Sequence, residues 1–118
     1  RRQRQMCIRD RSVMGIGPVP STKKALARAG MKIEDMDTIE LNEAFASQTL
    51  ACIRELGMEE GRVNVHGGAI AMGHPIGGTG AILAVKLMYH MQREGLHYGM
   101  ETLCIGGGQG LTVIYESI

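Results

Sequence analysis

The chain has 118 residues, 44% of them hydrophobic and 21% charged, which is room for one domain with one modest core. Its net charge of +1 hides a segregation: residues 1–12 carry five arginines against one aspartate, whereas residues 13–118 carry eight basic and eleven acidic side chains. The body therefore has no basic footprint for nucleic acid, one Phe and three Tyr without Trp make no stacking platform for single strands, and no apolar run approaches the roughly 20 residues that span a bilayer.

The Arg-rich start RRQRQMCIRDRS lacks the apolar stretch of a signal peptide and does not match the composition of the remaining chain. It reads as an unrelated or unreliable segment ahead of a domain over 13–118. In that domain Met14–Ser21 is turn-rich, and Ser21 suits the N-cap of a helix that Gly30 stops. Thr38–Leu41 predicts a short strand. Glu43–Leu56 predicts a helix with Phe45, Thr49, Cys52 and Leu56 on one stripe, ended by Gly57, and with Glu43 favouring the positive end of its dipole. Arg62–Val65 is a short extended piece. Gly78–Gly95 predicts a long buried helix with Ile82, Val85, Met88 (or Tyr89) and Gln92 marking its period, and Pro75 near its first turn. Two apolar, β-branched runs separated by GGGQG predict a pair of strands joined by a tight turn. The order implies an α/β layered fold, a mixed and partly parallel sheet flanked by helices.

Nine methionines suit a soft, adaptable interior. Cys7, Cys52 and Cys104 are an odd count without a C-x-x-C pair, so neither a disulfide framework nor a zinc site is indicated, and reduced thiols in a cytoplasmic setting fit. His66 and His74 lie eight apart with no thiol pair nearby, so no metal is expected.

The stretch NVHGGAIAMGHPIGGTGA (Asn64–Ala81) holds six glycines, two histidines and an apolar run, too much bare backbone for a core strand and too much apolar surface for a linker. It contains neither a G-x-x-x-x-G-K-[ST] loop nor a clean G-x-G-x-x-G turn, and Lys86 lies too far into its helix to be a phosphate-loop lysine. Three chemistry-bearing side chains fall at element ends: Asn42 after a strand, His74 before a helix, and Cys104 at the end of a strand before a glycine turn. Ligands in sheet-plus-helix folds bind beyond strand ends, so these three positions can meet in one cleft. Each also has a structural reading, as a helix cap, a satisfied histidine and an inert core thiol respectively.

In combination, MGIGPVP, NEAFA, GGAIAMGHPIGGTGA and CIGGGQG, in that order and spacing, resemble the C-terminal half of the thiolases, coenzyme-A-dependent acyltransferases that cleave or form 3-oxoacyl-CoA. The resemblance covers residues 13–118 and not the Arg-rich start. It implies a layered thiolase-like fold, C-terminal half only. His74 matches the histidine that activates the nucleophilic cysteine, and Cys104 the second cysteine, which shuttles a proton to and from the acetyl-CoA carbon. Asn42 matches the residue that holds a water of the oxyanion hole. Gly106 matches a backbone donor of the second oxyanion hole, and Met14, Ala44 and Phe45 match residues near the acyl group and pantetheine. His66 stands where Asn is more usual and receives no role.

The implied reaction is thiolytic cleavage of 3-oxoacyl-CoA to acetyl-CoA and a shortened acyl-CoA, or the reverse Claisen condensation, in fatty-acid metabolism and β-oxidation. Coenzyme A and acyl-CoA enter as substrates with no tightly bound cofactor. The nucleophilic cysteine, the loop that grips most of coenzyme A, and the first strand of the C-terminal domain are expected to be missing. The partner is then the missing N-terminal thiolase domain in a longer chain that forms homodimers or homotetramers, and the fragment alone is expected to be inactive. No nucleic-acid or membrane partner is expected. Two other readings stand beside this one. A β-ketoacyl synthase relative would pair a cysteine with two histidines, which Pro75 and the thiol of Cys104 argue against. A non-catalytic thiolase-like module binding lipid or CoA would have no need of a proton shuttle.

Overall fold

The computed structural model describes the backbone of residues 4–9 and the whole of residues 15–118. Four strands form one sheet in the order β1-β4-β3-β2: β1 is Arg4–Arg9, β2 Thr38–Leu41, β3 Tyr98–Ile105 and β4 Gln109–Glu116. β1 and β3 run antiparallel to β4, and β2 runs parallel to β3, so the sheet is mixed as expected. Residues 1–12, set apart from the domain by their composition, thus contain its first strand: Arg4–Arg9 pairs residue for residue with Gln109–Ile114.

Helices α1 (Pro18–Ala29), α2 (Ala46–Leu56) and α4 (Thr79–Glu94) surround the sheet, with a single turn α3 (Ala69–Met72) in the glycine-rich stretch. The stops fall where the sequence puts them, because Gly30, Gly57 and Gly95 each take the left-handed conformation that lets the chain leave a helix without a Cβ clash. The starts do not. Helix α1 begins three residues before Ser21, with Pro18 and Pro20 in the turn where a missing N–H costs nothing. Ser21 turns its hydroxyl inward instead of capping. Helix α2 begins at Ala46 rather than Glu43, with Phe45 as its cap.

The main core lies on the α1/α2 side of the sheet, where Met36, Ile39, Leu41, Cys52 and Met100 are essentially inaccessible. A smaller cluster of Leu87, Met91, Val113 and Tyr115 lies under α4. The buried stripe of α4 is Thr79, Leu83, Leu87 and Met91, displaced by about one residue from the expected one. Ile82, Val85 and Tyr89, apolar by composition, are exposed.

A buried hydroxyl cluster fastens α1 to the sheet. Thr102 and Thr112 are cross-strand partners 2.8 Å apart at their hydroxyls. Thr112 Oγ1 also lies 2.8 Å from Ser21 Oγ and 3.2 Å from Thr22 Oγ1. Each hydroxyl has at least one partner in the cluster, so none of the four is stranded away from water. Thr112→Val keeps the shape and removes the hub; the unfolding free energy from urea titration is expected to fall by about 1–3 kcal/mol, with Thr112→Ser recovering most of the loss.

On the opposite face Glu101 is buried, with Oε1 accepting from Tyr115 OH at 3.0 Å. Burial pushes its carboxyl from 4.5 up to about 7, the Tyr115 bond opposes this, and neighbouring Glu40 adds repulsion. The folded chain therefore holds a proton that the unfolded chain has released. That stabilisation is complete below about pH 4.5 and disappears as pH rises through about 7. Urea unfolding is expected to show a loss on the order of 2 kcal/mol between pH 5 and pH 8, and Glu101→Gln should flatten that slope.

Candidate active site

The C-terminal end of β3, the start of α2, the loop entering α4 and the Gly15–Ile16 segment enclose a cavity of about 740 Å³. That volume lies within the range of small-molecule sites, roughly 300–1,000 Å³. His74, Cys104, Gly106 and Phe45 all stand on its wall, with Leu103 and Ile76 supplying apolar surface. Among the described residues lining it, only His74 and Cys104 are titratable, and none carries a permanent charge. A charge that develops inside would therefore be answered by few, fixed polar groups, in a setting where each interaction is strong.

His74 stands in the loop between α3 and α4. Pro75 directs the chain into α4, its carbonyl accepting the N–H of Gly78 at 2.8 Å and of Thr79 at 2.9 Å. The ring nitrogen Nδ1 lies 2.7 Å from Thr79 Oγ1.

Cys104 is a half-buried free thiol near the end of β3. Burial raises its pKa, partly offset by a bond to its own backbone N–H. It is thus held as S–H near neutral pH, the form that gives a proton, rather than as a standing thiolate. The turn Gly106–Gly107–Gly108 follows, and at Gly106 a Cβ would meet no protein atom, so this backbone faces open space.

Asn42 is placed differently. Its N–H donates to Thr102 O at 3.0 Å, extending the β2–β3 ladder by one residue, and its side chain is buried and does not line the cavity. Among the described residues neither Nδ2 nor Oδ1 has a hydrogen-bond partner. A buried amide with both ends unmatched is rare and costly, which makes it the most conspicuous polar group near the strand ends. It does not cap α2. Ala44 is half-buried in the turn after β2 and is not part of the wall, whereas Phe45 is exposed on it. Met14 lies outside the described residues.

The framework behind the site was not visible in the sequence. Asn64, at φ 50, uses its side chain as a strand partner for β2: Oδ1 accepts Leu41 N–H and Nδ2 donates to Leu41 O, both at 2.9 Å. Glu43 is not in the first turn of α2. Its carboxylate accepts from Asn64 Nδ2 at 3.0 Å and from Ile70 N–H at 2.9 Å, at the start of α3. A Cβ at Gly68 would run into that carboxylate, so the glycine is there to admit it. Lys86 donates to buried Glu40 at 2.9 Å and also to the carbonyl of Gly67. Burial raises the Glu40 pKa while Lys86 lowers it. The lone cation halfway along an apolar helix was the available signal.

A family model described as "Thiolase, C-terminal domain" matches residues 2–117, a span that takes in the four strands, the cavity and nearly all of the Arg-rich start. The chain belongs to the thiolases. An acetyl-CoA acetyltransferase from Syntrophomonas wolfei subsp. wolfei is 54% identical over 111 residues, covering 92% of this chain and 28% of that protein. A 3-ketoacyl-CoA thiolase of Vibrio vulnificus is 54% identical over 111 residues, 91% of this chain and 28% of its own length. The crystal structure of human mitochondrial 3-ketoacyl-CoA thiolase superposes with a TM-score of 0.93 at 47% identity, over 97% of this chain and 29% of that one, and a crystal structure of the same protein in complex with CoA matches equally well. The present chain thus spans less than a third of the thiolases it matches.

Within this thiolase domain the Glu40–Lys86 pair links β2, α4 and the glycine-rich loop. Lys86→Met leaves Glu40 buried without its partner and is expected to cost on the order of 3 kcal/mol in urea unfolding. Lys23→Met, which breaks the exposed pair with Glu55, is expected to cost less than about 1 kcal/mol.

Proposed function

We propose that this chain supplies the histidine, second cysteine and asparagine of a thiolase active site, acting as part of a longer protein. The reaction is thiolytic cleavage of 3-oxoacyl-CoA to acetyl-CoA and a shortened acyl-CoA, or its reverse. The observation that carries the reading is the meeting of His74, Cys104 and Gly106, distant in sequence, on one cavity whose described lining residues carry no permanent charge.

In this reading His74 Nε2 takes the proton of a nucleophilic thiol contributed by a part of the thiolase that this chain does not cover. The thiolate attacks the 3-keto carbon, and the carbonyl π electrons move onto oxygen. Collapse breaks the bond between the α and β carbons and leaves the acyl group on the nucleophile's sulfur and the enolate of acetyl-CoA. Cys104 gives its S–H proton to the enolate carbon, which suits a thiol that burial holds protonated. The thiol of coenzyme A gives its proton to the Cys104 thiolate and attacks the acyl carbon, and the nucleophile's sulfur departs and recovers its proton from His74. The enolate oxygen is met by His74 and a water on Asn42, whose buried amide has no partner among the described residues to surrender. The Gly106 N–H answers the tetrahedral oxyanion, with room for the ligand because no Cβ stands there. Phe45, Ala44 and Met14 contribute to the surface near the acyl group and pantetheine.

Coenzyme A, acetyl-CoA and 3-oxoacyl-CoA are then substrates, and the longer protein forms a homodimer or homotetramer. We place the reaction in fatty-acid β-oxidation on the strength of relatives named 3-ketoacyl-CoA thiolase. A cytoplasmic setting rests on the free thiols of Cys52 and Cys104. Among the described residues no helix is long and apolar enough to cross a membrane.

The test is Cys104→Ala in the longer protein. CoA-dependent cleavage of acetoacetyl-CoA is expected to fall by about 10²–10⁴-fold with circular dichroism unchanged. A near-normal rate excludes the proton-transfer role.

A further inference from the structure

Thr79 is buried at the first residue of α4 and touches the one imidazole on the cavity wall. Its hydroxyl has a single proton. Thr79 Oγ1 lies 2.9 Å from the Pro75 carbonyl, an oxygen that only accepts, so the proton goes there. What remains toward His74 Nδ1, 2.7 Å away, is an oxygen lone pair. The hydrogen between them must then sit on Nδ1. In the neutral ring the second nitrogen, Nε2, is left unprotonated.

We infer that Thr79 is a positioning residue: it fixes His74 in the Nδ1–H tautomer with Nε2 as the basic atom, and holds the ring plane by a bond anchored in the first turn of α4. The inference rests on the reading of His74 as the base and deepens it. The turn makes the arrangement rigid, because the same Pro75 carbonyl also receives the backbone N–H of Gly78 and Thr79. With Thr79 4% exposed, water has little access to replace its hydroxyl. When Nε2 takes a proton, the Nδ1–H bond to Thr79 persists unchanged, so the ring gains its charge without turning. The orienting group is a neutral hydroxyl, so it sets direction without adding a negative charge to a cavity where, among the described lining residues, the only other titratable group is Cys104. Nothing in Gly-His-Pro itself carries this information. It comes from the threonine five residues on, wound back over the proline by the start of the helix.

The experiment uses the longer protein with Thr79→Val, which keeps the branched shape, and Thr79→Ser, which restores the hydroxyl. Two readouts are taken: steady-state cleavage of acetoacetyl-CoA, and the tautomer of His74 from long-range ¹⁵N–¹H spectra of ¹⁵N-histidine-labelled protein, assigned by loss of the signal in His74→Asn. In the unsubstituted protein the Nδ1–H form is expected. Thr79→Val is expected to lower kcat by roughly 10–100-fold, part of what a general base contributes, with KM within about twofold and a mixed tautomer signal. Thr79→Ser is expected to restore both. An Nε2–H majority in the unsubstituted protein overturns the inference, and that readout stands even if Thr79→Val fails to fold. Unchanged kcat and tautomer in Thr79→Val overturn it as well. Failure of the acyl-transfer reading is a separate outcome, visible as cleavage that survives Cys104→Ala while the tautomer remains Nδ1–H.

Discussion

Lys86 holds three parts of this domain in one place. From the middle of α4 it reaches Glu40 on β2 and the carbonyl of Gly67 in the glycine-rich stretch. A buried ion pair is stable only when Coulomb attraction and additional hydrogen bonds offset the loss of hydration. Here the extra acceptor is a backbone carbonyl, so the lysine's demand for partners draws the glycine-rich stretch onto the helix. The helix start, with Thr79 and His74, is thereby set relative to β2 and its neighbour β3, which carries Cys104 to the same end of the sheet. Glu43 and Asn64 add a second tie from the turn after β2 to the same stretch. The cavity is what remains between these fastened ends.

The two titratable groups of the cavity differ in what their surroundings do to them. Cys104 gains little from its environment except exclusion of water, which favours the neutral thiol. His74 is exposed to the cavity and is directed by a single hydroxyl rather than by a charge. The division suits a site in which one group delivers a proton to carbon and the other moves protons on sulfur and oxygen. Asn42 extends the pattern: its backbone is tied into the sheet, and its amide has no partner among the described residues.

Much of this was legible in the chain itself. Glycine stops after helices are enforced by backbone sterics at one residue, so Gly30, Gly57 and Gly95 could be placed to the residue. The strand Thr38–Leu41 and the hairpin around GGGQG were equally local, and His74, Cys104, Gly106 and Phe45, singled out by their motif segments, lie together on one cavity wall. Helix starts were less legible because an inward side chain competes with a cap. Ser21 looks like an N-cap and instead joins three threonines from other elements and its own helix. Glu43 suits the dipole of α2 but is taken by α3 and Asn64. The stripe of α4 was misplaced because Ile82 and Val85 are as apolar as Leu83 and Leu87, and only the sheet decides which row is covered. The Arg-rich start reads as foreign by charge, yet Arg4–Arg9 takes its place from backbone pairing with β4, which composition does not reveal.

The proposed acyl transfer requires the imidazole of His74, the thiol of Cys104 and the amide of Asn42 to meet around a single thioester. The direct measurement is a crystal structure of the longer protein with acetyl-CoA bound. The thioester is expected in the cavity, its carbonyl oxygen within hydrogen-bond distance of His74 Nε2 and of a water on Asn42, and its methyl carbon against Cys104 Sγ. A thioester seated elsewhere, or in the cavity with its methyl turned away from Cys104, would contradict that convergence.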